Sequence, residues 1–514
     1  MKKLFLCLTL LSVLFFFVSC GSSKKEDQND SDDQQNDEDV VDTDTPDTEP
    51  TDPADTEPDD TESSWKTSDS EFISLDKLGL AEQVLPKLLK TDDGKIIVTW
   101  LRPELNNAGY FLHLQIFAKD GTPMFPEEGV VVSSKKTPGY TTDYSLAFAP
   151  NGDILIAYGD SRNDTEGVEL IEVYVYRYTQ DGEPVWDKDG IKVASERIDS
   201  EIPGPQDLSP SLCVSDKNIY LSVLHVEEDN RAYQIFKIKE DGTLEWDAPL
   251  KMENKYVFMA PTSKGNAFLI YVNAKFGLDA KVIDAAGKDV WETPVTIEKG
   301  EVVSEVFMAK PLIVPEDDGS IFISYRRLIG MTGYYVLNKI SADGSFVEDA
   351  KSCSSSEENN IVSAAMGVKD HKALLAWEEI FEDKTYTFSA NLFDAKGSTV
   401  WGENYAGVKL DTNDVEGITP DAVIPQSDGG WVILYERKTN WNTADLMLQK
   451  IDKDGQKVWQ RQIGTASMDI NEVAVEYDST KAYIFYTMTV MDDQFNDKDS
   501  SAFRAMCVDL TKGE

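Results

Sequence analysis

The feature that most constrains the fold of this chain is a short glycine turn that recurs along it. The stretch from Lys281 to Trp291 reads as a strand, a tight turn at Gly287 and a second strand opening on Trp291. Equivalent turns lie at Gly121, Gly182, Gly242, Gly344, Gly397 and Gly455, with a last trace at Gly513. Self-similarity at a regular spacing is the sequence signature of a repeat architecture.

A second signal lies roughly 20 residues upstream of each turn. There a polar turn precedes an apolar run that ends in an aromatic residue, as from Asn151-Gly152 to Tyr158. Gly and Asp-Gly supply the positive φ of tight hairpins, and the β-branched and aromatic runs between them favour strands. Four antiparallel strands repeated eight times, roughly every 50 to 60 residues, predict an all-β fold: an eight-bladed β-propeller.

The ring needs a strand from the beginning of the folded region. The eighth copy ends at Glu514, directly after its glycine turn, so its outermost strand is missing. Residues 71–76 have no inner strands of their own and match residues 407–411, the outer strand of the sixth copy. We therefore expect 71–76 to complete the last blade, which removes an open edge that would otherwise promote aggregation.

The N-terminus reads as a targeting segment. Lys2 and Lys3 precede an apolar core too short to span a membrane as a mature helix, so residues 1–19 are expected to be a signal peptide. The stretch from Phe17 to Gly21, Phe-Val-Ser-Cys-Gly, resembles a bacterial lipobox, which implies that Cys20 is lipidated. An ordinary secretory signal with an incidental Cys20 is the alternative. Gly21 after the cysteine implies an outer-membrane or cell-surface location.

Composition separates a linker from the folded region. Residues 20–64 hold 18 acidic residues against Lys24 and Lys25, which predicts a disordered acidic spacer, with the propeller at 65–514. The net charge of −44 opposes binding to nucleic acid and to anionic lipid surfaces. We expect a monomer that meets the membrane only through its lipid anchor.

No pattern predicts a cofactor or a metal site. Cys213, Cys353 and Cys507 are isolated in sequence, so we expect buried thiols. The three histidines fall in different repeats, and the acidic turn 316–319 lacks the spacing of a calcium loop.

One positional pattern indicates a candidate binding site. The position that ends the apolar run of each second strand is aromatic in every copy but the third, which has Val223. Two residues after it stand Arg102, Asp160, His225, Asn273, Arg327, Glu379, Arg437 and Met488. Propeller geometry places these positions on one face around the channel, where Arg102, His225, Arg327 and Arg437 would form an anion-binding crown. The alternative is that each pairs with acidic neighbours, as Asp160 and Arg162 would.

The turn motif from Ile283 to Trp291 resembles the tryptophan-docking repeat of quinoprotein-type eight-bladed propellers. This resemblance implies that the tryptophans four residues after the turns pack between blades: Trp186, Trp246, Trp291, Trp401 and Trp459. Phe125 and Glu348 take that position in the first and fifth copies. The dehydrogenases of that family use adjacent cysteines, which this chain lacks, whereas its outer-membrane assembly lipoproteins are not enzymes.

Two weaker resemblances concern function. Residues 158–162 look like the Trp-x-Asp-x-Arg strand end of bacterial surface repeats, and the glycine turn occupies the place of a sialidase Asp-box. We therefore expect a non-enzymatic lipoprotein that binds protein or glycan on the loop face of the propeller. A sialidase-like hydrolase using Arg102, Arg327 and Arg437, and an envelope-assembly scaffold, are the alternatives.

Overall fold

The protein is described here from a computed structural model. The structure describes residues 64–67, 73–75, 84–103, 110–126, 128–137, 143–163, 170–197, 210–227, 230–253, 256–299, 310–329, 332–345, 351–353, 360–381, 385–401, 407–411, 416–440, 443–466, 470–491 and 497–513. Every regular element among these residues is a β-strand. None of the described residues forms a helix that is long and apolar enough to cross a membrane.

Eight four-stranded sheets account for all the strands. Blade 1 is Val84–Lys90 (β2), Ile96–Pro103 (β3), Tyr110–Phe117 (β4) and Val130–Thr137 (β5); blade 2 is Ser145–Phe148 (β6), Ile154–Asp160 (β7), Leu170–Tyr178 (β8) and Ile191–Arg197 (β9). Blade 3 is Ser211–Ser215 (β10), Asn218–Glu227 (β11), Asn230–Ile238 (β12) and Leu250–Met252 (β13); blade 4 is Val257–Pro261 (β14), Ala267–Val272 (β15), Leu278–Ile283 (β16) and Val295–Glu298 (β17).

The second half repeats the arrangement. Blade 5 is Leu312–Pro315 (β18), Ile321–Ile329 (β19), Thr332–Ile340 (β20) and Lys351–Cys353 (β21); blade 6 is Asn360–Lys369 (β22), Lys372–Ile380 (β23), Tyr386–Phe393 (β24) and Val408–Asp411 (β25). Blade 7 is Gly417–Pro425 (β26), Trp431–Asn440 (β27), Thr443–Ile451 (β28) and Lys457–Ala466 (β29); blade 8 is Ile470–Tyr477 (β30), Lys481–Met491 (β31), Asp497–Asp509 (β32) and Ile73–Ser74 (β1).

The blades form a closed ring. The innermost strand of each blade contacts the innermost strand of the next, and β30 of blade 8 contacts β2 of blade 1. Within each blade, neighbouring strands pair antiparallel. The predicted eight-bladed β-propeller is confirmed.

The ring is closed by the beginning of the folded chain, as the sequence predicted. Ile73 lies opposite Ala505 and Ser74 opposite Arg504, so β1 is the outer strand of blade 8. The Leu75 N–H donates to the Phe503 carbonyl at 3.1 Å and extends the pairing by one residue. Residues 71, 72 and 76 lie outside the described residues.

The core is distributed between neighbouring blades. Trp100 of blade 1 is fully buried and lies 5.5 Å, between ring centroids, from Phe503 of blade 8. The second strands are covered on both sides, so they read as nearly continuous apolar runs; all seven residues of β7 are buried. Such burial contributes about 25 cal/mol per Å² of apolar surface.

The docking tryptophans connect each blade to the next. Their indole N–H groups donate to a carbonyl two residues before the next turn glycine: Trp186 to Glu240 (3.1 Å), Trp246 to Ala285 (3.2 Å), Trp291 to Ala342 (3.1 Å) and Trp401 to Lys453 (3.0 Å). Trp459 packs against Gly513, where an added Cβ would lie 3.0 Å from the indole. Phe125 packs likewise against Gly182, and Glu348 lies outside the described residues.

Trp65 occupies the eighth docking position, which the sequence analysis missed. Its indole N–H donates to the Lys119 carbonyl at 3.1 Å, and a Cβ added at Gly121 would lie 2.7 Å from its ring. The Cys507 N–H donates to the Lys66 carbonyl at 2.8 Å, which fixes this segment beside β32. Ring closure therefore uses a strand and a docking tryptophan.

The cysteines of the folded region are dispersed. Cys213 and Cys507 are buried free thiols, and Cys353 lies in β21. Burial raises the pKa of the Cys213 thiol to about 12, so this group is not a reactive thiolate at neutral pH.

Candidate functional site at the loop face and channel

Antiparallel connectivity gives the propeller two different faces. One, here the turn face, carries the hairpin turns between first and second strands and the glycine turns between third and fourth strands. The other, the loop face, carries the links from second to third strands and from each blade to the next. Arg102, His225, Arg327 and Arg437 lie towards the loop-face ends of their second strands.

Arg437 contacts acidic residues between blades 6 and 7. Its Nη2 lies 3.0 Å from Asp445 Oδ2 in its own blade, and its Nη1 lies 3.8 Å from Asp411 Oδ2 in blade 6. Both carboxylates are buried. Arg437 therefore links two blades through partly buried ion pairs.

Arg327 occupies the corresponding place between blades 4 and 5. Its Nε lies 3.6 Å from Glu298 Oε2 at the end of β17, and the buried Tyr325 hydroxyl donates to the same oxygen at 3.1 Å. Glu298 and Asp411 each end the outer strand of the preceding blade. The two arginines thus contact equivalent positions of different blades.

Arg102 and His225 are placed by strand register. Arg102 lies opposite Phe111, and His225 lies opposite Ala232. Burial is the main cause that lowers the pKa of the neighbouring His113 to about 4; a hydrogen bond to the Glu128 carbonyl opposes this shift, and the Arg102 charge adds to it. The three arginines therefore lie in separate blades, and two of them, Arg327 and Arg437, contact a carboxylate of the preceding blade.

The strand end at Asp160 carries the most developed polar network. Asp160 is fully buried, and its two oxygens accept from Nε and Nη2 of Arg162 at 2.8 and 2.6 Å. Nη2 of Arg162 also donates to the Tyr176 hydroxyl at 2.7 Å. The guanidinium lies 3.5 Å from the centroid of the Tyr174 ring, a cation–π arrangement.

A second carboxylate extends this network. The Tyr174 hydroxyl donates to Glu172 Oε2 at 2.7 Å, and Lys192 pairs with Oε1 of the same residue. Burial opposes ionisation of Glu172, but hydrogen bonds from Lys192, Tyr174 and Asn163 prevail and lower its pKa. The network satisfies its charges internally and indicates a structural role.

A cluster that the sequence pattern did not reveal joins the innermost strand of blade 1 to the start of blade 2. Lys87 on the innermost strand of blade 1 pairs with Asp143, just before β6, at 2.9 Å. Its Nζ also lies 5.1 Å from the ring centroid of Tyr144. The buried Tyr144 hydroxyl donates to the Leu85 carbonyl at 2.7 Å and accepts from Thr99 at 2.9 Å.

A second lysine, Lys310, precedes an innermost strand. It precedes β18 of blade 5, directly opposite blade 1 in an eight-membered ring. The charges of Lys87 and Asp143 act on it electrostatically. Although Lys310 is exposed to solvent, the protein atoms around it displace enough water to lower its pKa; the Lys87 charge also lowers it, and Asp143 opposes the shift.

The arrangement offers a cationic position inside an acidic protein. Lys310 is exposed, and it has no hydrogen bond or ion pair with any part of the chain that the structure describes. A carboxylate or sulfate bound at Lys310 would supply the anionic partner that it lacks among the described residues and would offset the Lys87 charge. The sequence signal was a lysine within the apolar strand β2.

Comparisons with known proteins concern the fold alone. No protein-family model and no curated protein matches the chain. The polysaccharide lyase Uly1 is 12% identical, with 82% of this chain and 89% of that chain covered and a TM-score of 0.40. A PL25 ulvan lyase is 9% identical over 72% of this chain and 97% of that one, with a TM-score of 0.43. A protein of unknown function from Dyadobacter fermentans is 10% identical, with 85% of this chain and 98% of that chain covered and a TM-score of 0.40.

Proposed function

We propose that the protein is a non-enzymatic binding lipoprotein of the bacterial envelope. Its propeller engages an anionic group of a protein or glycan at the loop-face mouth of the channel. The observation that carries this proposal is Lys310, an exposed lysine just before β18 that has no hydrogen bond or ion pair among the described residues. In a chain of net charge −44, an ammonium group without an acidic partner in the described part of the chain is an unusual local feature that suits an anion.

The ion pairs that Arg327 and Arg437 form on the loop face favour a binding function over hydrolysis. A sialidase-like site would need several arginines directed at one substrate carboxylate. Arg327 instead contacts Glu298, and Arg437 contacts Asp411 and Asp445. Breaking partly buried ion pairs to bind substrate would cost on the order of several kcal/mol.

The envelope location rests on the N-terminal sequence. Residues 20–63, which include Cys20, lie outside the described residues, so the lipid anchor and the acidic spacer are proposals from the sequence. A lipidated Cys20 would tether the propeller as a monomer, and a self-repelling spacer would hold it away from the membrane. The outer membrane or the cell surface is the proposed address.

The test compares charge variants of the full chain, purified in detergent, on an array of acidic and neutral glycans and in pull-downs from envelope extracts. Lys310→Ala and Lys310→Glu should lose retention of the anionic ligand at least tenfold. Lys288→Ala, an exposed lysine on a turn-face loop, is the matched control and should behave as wild type.

The outcomes separate the proposal from its alternatives. Equal retention by Lys310→Glu and wild type would overturn the channel site. Turnover of a fluorogenic sialoside would support a hydrolase, and recovery of outer-membrane barrels independent of Lys310 would support an assembly scaffold.

A further inference from the structure

Two turns on the turn face bring a histidine onto a pair of carboxylates. Glu316 and Asp318 lie in the turn between β18 and β19 of blade 5. His371 lies in the turn between β22 and β23 of blade 6, at φ 60°. These residues are more than 50 positions apart in sequence, so spacing within one blade could not reveal their meeting.

The three side chains converge on a small volume. Nδ1 of His371 lies 3.0 Å from Glu316 Oε1 and 3.6 Å from Asp318 Oδ2. All three atoms lie within 4.8 Å of one another. In a tetrahedral site with bonds of about 2.0–2.2 Å, ligand atoms are roughly 3.4 Å apart. The two distances from the imidazole bracket that spacing, so small side-chain movements suffice to bind one ion.

Each carboxylate is oriented through its other oxygen. Lys339 pairs with Oε2 of Glu316, and the Ser320 hydroxyl donates to that oxygen at 2.8 Å. Ser320 also donates its backbone N–H to Asp318 Oδ1 at 2.8 Å. Oε1 of Glu316 and Oδ2 of Asp318 are thereby left facing the imidazole. Such outer-shell bonds are what orient ligands at metal sites.

We propose that Glu316, Asp318 and His371 bind a divalent transition metal ion, with Zn²⁺ the best match. One imidazole with two carboxylates suits zinc and its first-row neighbours better than calcium or magnesium, which prefer oxygen ligands alone. The ion replaces the shared hydrogen of the His371–Glu316 contact, and water completes its coordination. Lys339 offsets one carboxylate charge and limits the affinity.

This site is separate from the proposed ligand face and has a different role. The ion joins blade 5 to blade 6 on the turn face, whereas Lys87 lies in the innermost strand of blade 1 and Lys310 just before the innermost strand of blade 5. Because the metal binds ligands from two blades, it stabilises their contact in the folded protein. Expected consequences are a raised Tm and no change in retention of an anionic ligand.

The test is titration of the EDTA-treated full chain with Zn²⁺ by calorimetry, and with Co²⁺ by absorption spectroscopy. His371→Ala should weaken the one specific site at least tenfold and abolish the visible bands of bound Co²⁺. His225→Ala is the matched histidine control and should retain both signals. Asp318→Asn, which changes a half-exposed side chain, provides a second variant with little risk to folding.

The acidic segment 20–64 makes a discriminating readout necessary, since its carboxylates also attract divalent ions. Weak binding that is identical in wild type and His371→Ala would overturn the proposal. Absence of Co²⁺ bands in the wild type would overturn it too. A Zn²⁺-dependent rise in Tm that disappears in His371→Ala, but persists in His225→Ala, would support it.

Discussion

Trp65 donates its indole N–H to the carbonyl of Lys119, 3.1 Å away and 54 residues later in the chain. This bond joins the start of the folded region to the glycine turn of blade 1. The indole is 6% exposed and packs against Phe117, Tyr483 and Phe485. Trp65 therefore packs against both blade 1 and blade 8, the two blades between which the ring closes.

Removing this side chain should weaken the closure of the ring. Trp65→Ala is expected to lower the free energy of unfolding by about 3–5 kcal/mol, because a buried indole and its hydrogen bond are lost together. Urea unfolding followed by circular dichroism measures the change. An unfolding midpoint equal to that of wild type would contradict the closing role of Trp65.

A pair of glycine substitutions separates backbone strain from packing. Gly121 has φ 92° and Gly397 has φ 71°, so Ala at either position costs about 1–2 kcal/mol for the left-handed conformation. At Gly121 the added Cβ also meets the backbone and ring of Trp65 at 2.7 Å, whereas at Gly397 it meets nothing within 4 Å.

Gly121→Ala should therefore destabilise the protein by about 1–3 kcal/mol more than Gly397→Ala, through overpacking. Thermal unfolding of the two variants side by side measures this difference. Equal losses of stability would show that Trp65 does not pack tightly on the turn.

The sequence was sufficient for the architecture because the repeat is local. Each glycine turn and each apolar run lies within one blade, and the match between 71–76 and 407–411 predicted the closing strand. The sequence pattern did not reveal Trp65, because a docking tryptophan normally follows the glycine turn of its own blade by four residues. For blade 8 that turn is at Gly513, at the other end of the chain. A tryptophan shortly before an unpartnered strand was the available signal.

The contacts between blades could not be predicted in the same way. Arg437 contacts Asp411 across a seam, and His371 contacts Glu316 across another. The Lys87 charge of blade 1 acts on Lys310, just before β18 of blade 5. These pairs depend on the rotation and stagger of neighbouring sheets, which no periodicity within a blade encodes.

The ion pairs of Arg437 at the boundary between blades 6 and 7 should stabilise the folded protein. Arg437→Ala leaves the buried Asp411 and Asp445 without their cation and should cost about 3–5 kcal/mol. Lys95→Ala, which breaks the more exposed pair with Asp181, should cost about 0–1 kcal/mol and serves as the control. Denaturant unfolding at neutral pH compares them.

Combining Arg437→Ala with Arg102→Ala and Arg327→Ala tests the predicted anion-binding crown. Loss of stability with unchanged ligand retention would leave the crown without support. Loss of retention in a variant that remains folded would restore it, since the arginines would then be needed at the ligand.

Stability should depend on pH through a carboxyl group of blade 8. Burial raises the pKa of Glu476 to about 7 from an ordinary value of 4.5, and the Lys90 charge only partly opposes the shift. The unfolded chain releases this proton at lower pH than the folded protein. The contribution of the Glu476 carboxyl group to the free energy of unfolding is therefore complete below pH 4.5. It falls as the pH rises to about 7 and stays reduced above that pH.

Glu476→Gln removes this titration. The variant should be more stable than wild type at pH 8, by about 1–3 kcal/mol, since one pKa unit corresponds to 1.36 kcal/mol. The advantage should vanish at pH 4. Exposed Glu292→Gln is the control and should show no such trend. An advantage of equal size at both pH values would indicate a packing effect instead.

The lipid anchor predicts where the protein is found in the cell. If Cys20 carries the acyl chains, wild-type protein should remain in the membrane fraction after a high-salt wash and partition into detergent. Each buried methylene contributes on the order of 0.8 kcal/mol, so more than one chain holds the protein firmly. Cys20→Ala should remain soluble or accumulate as uncleaved precursor, whereas Cys213→Ala should stay with the membrane. Membrane association of a processed Cys20→Ala protein would show that another part of the molecule holds it there.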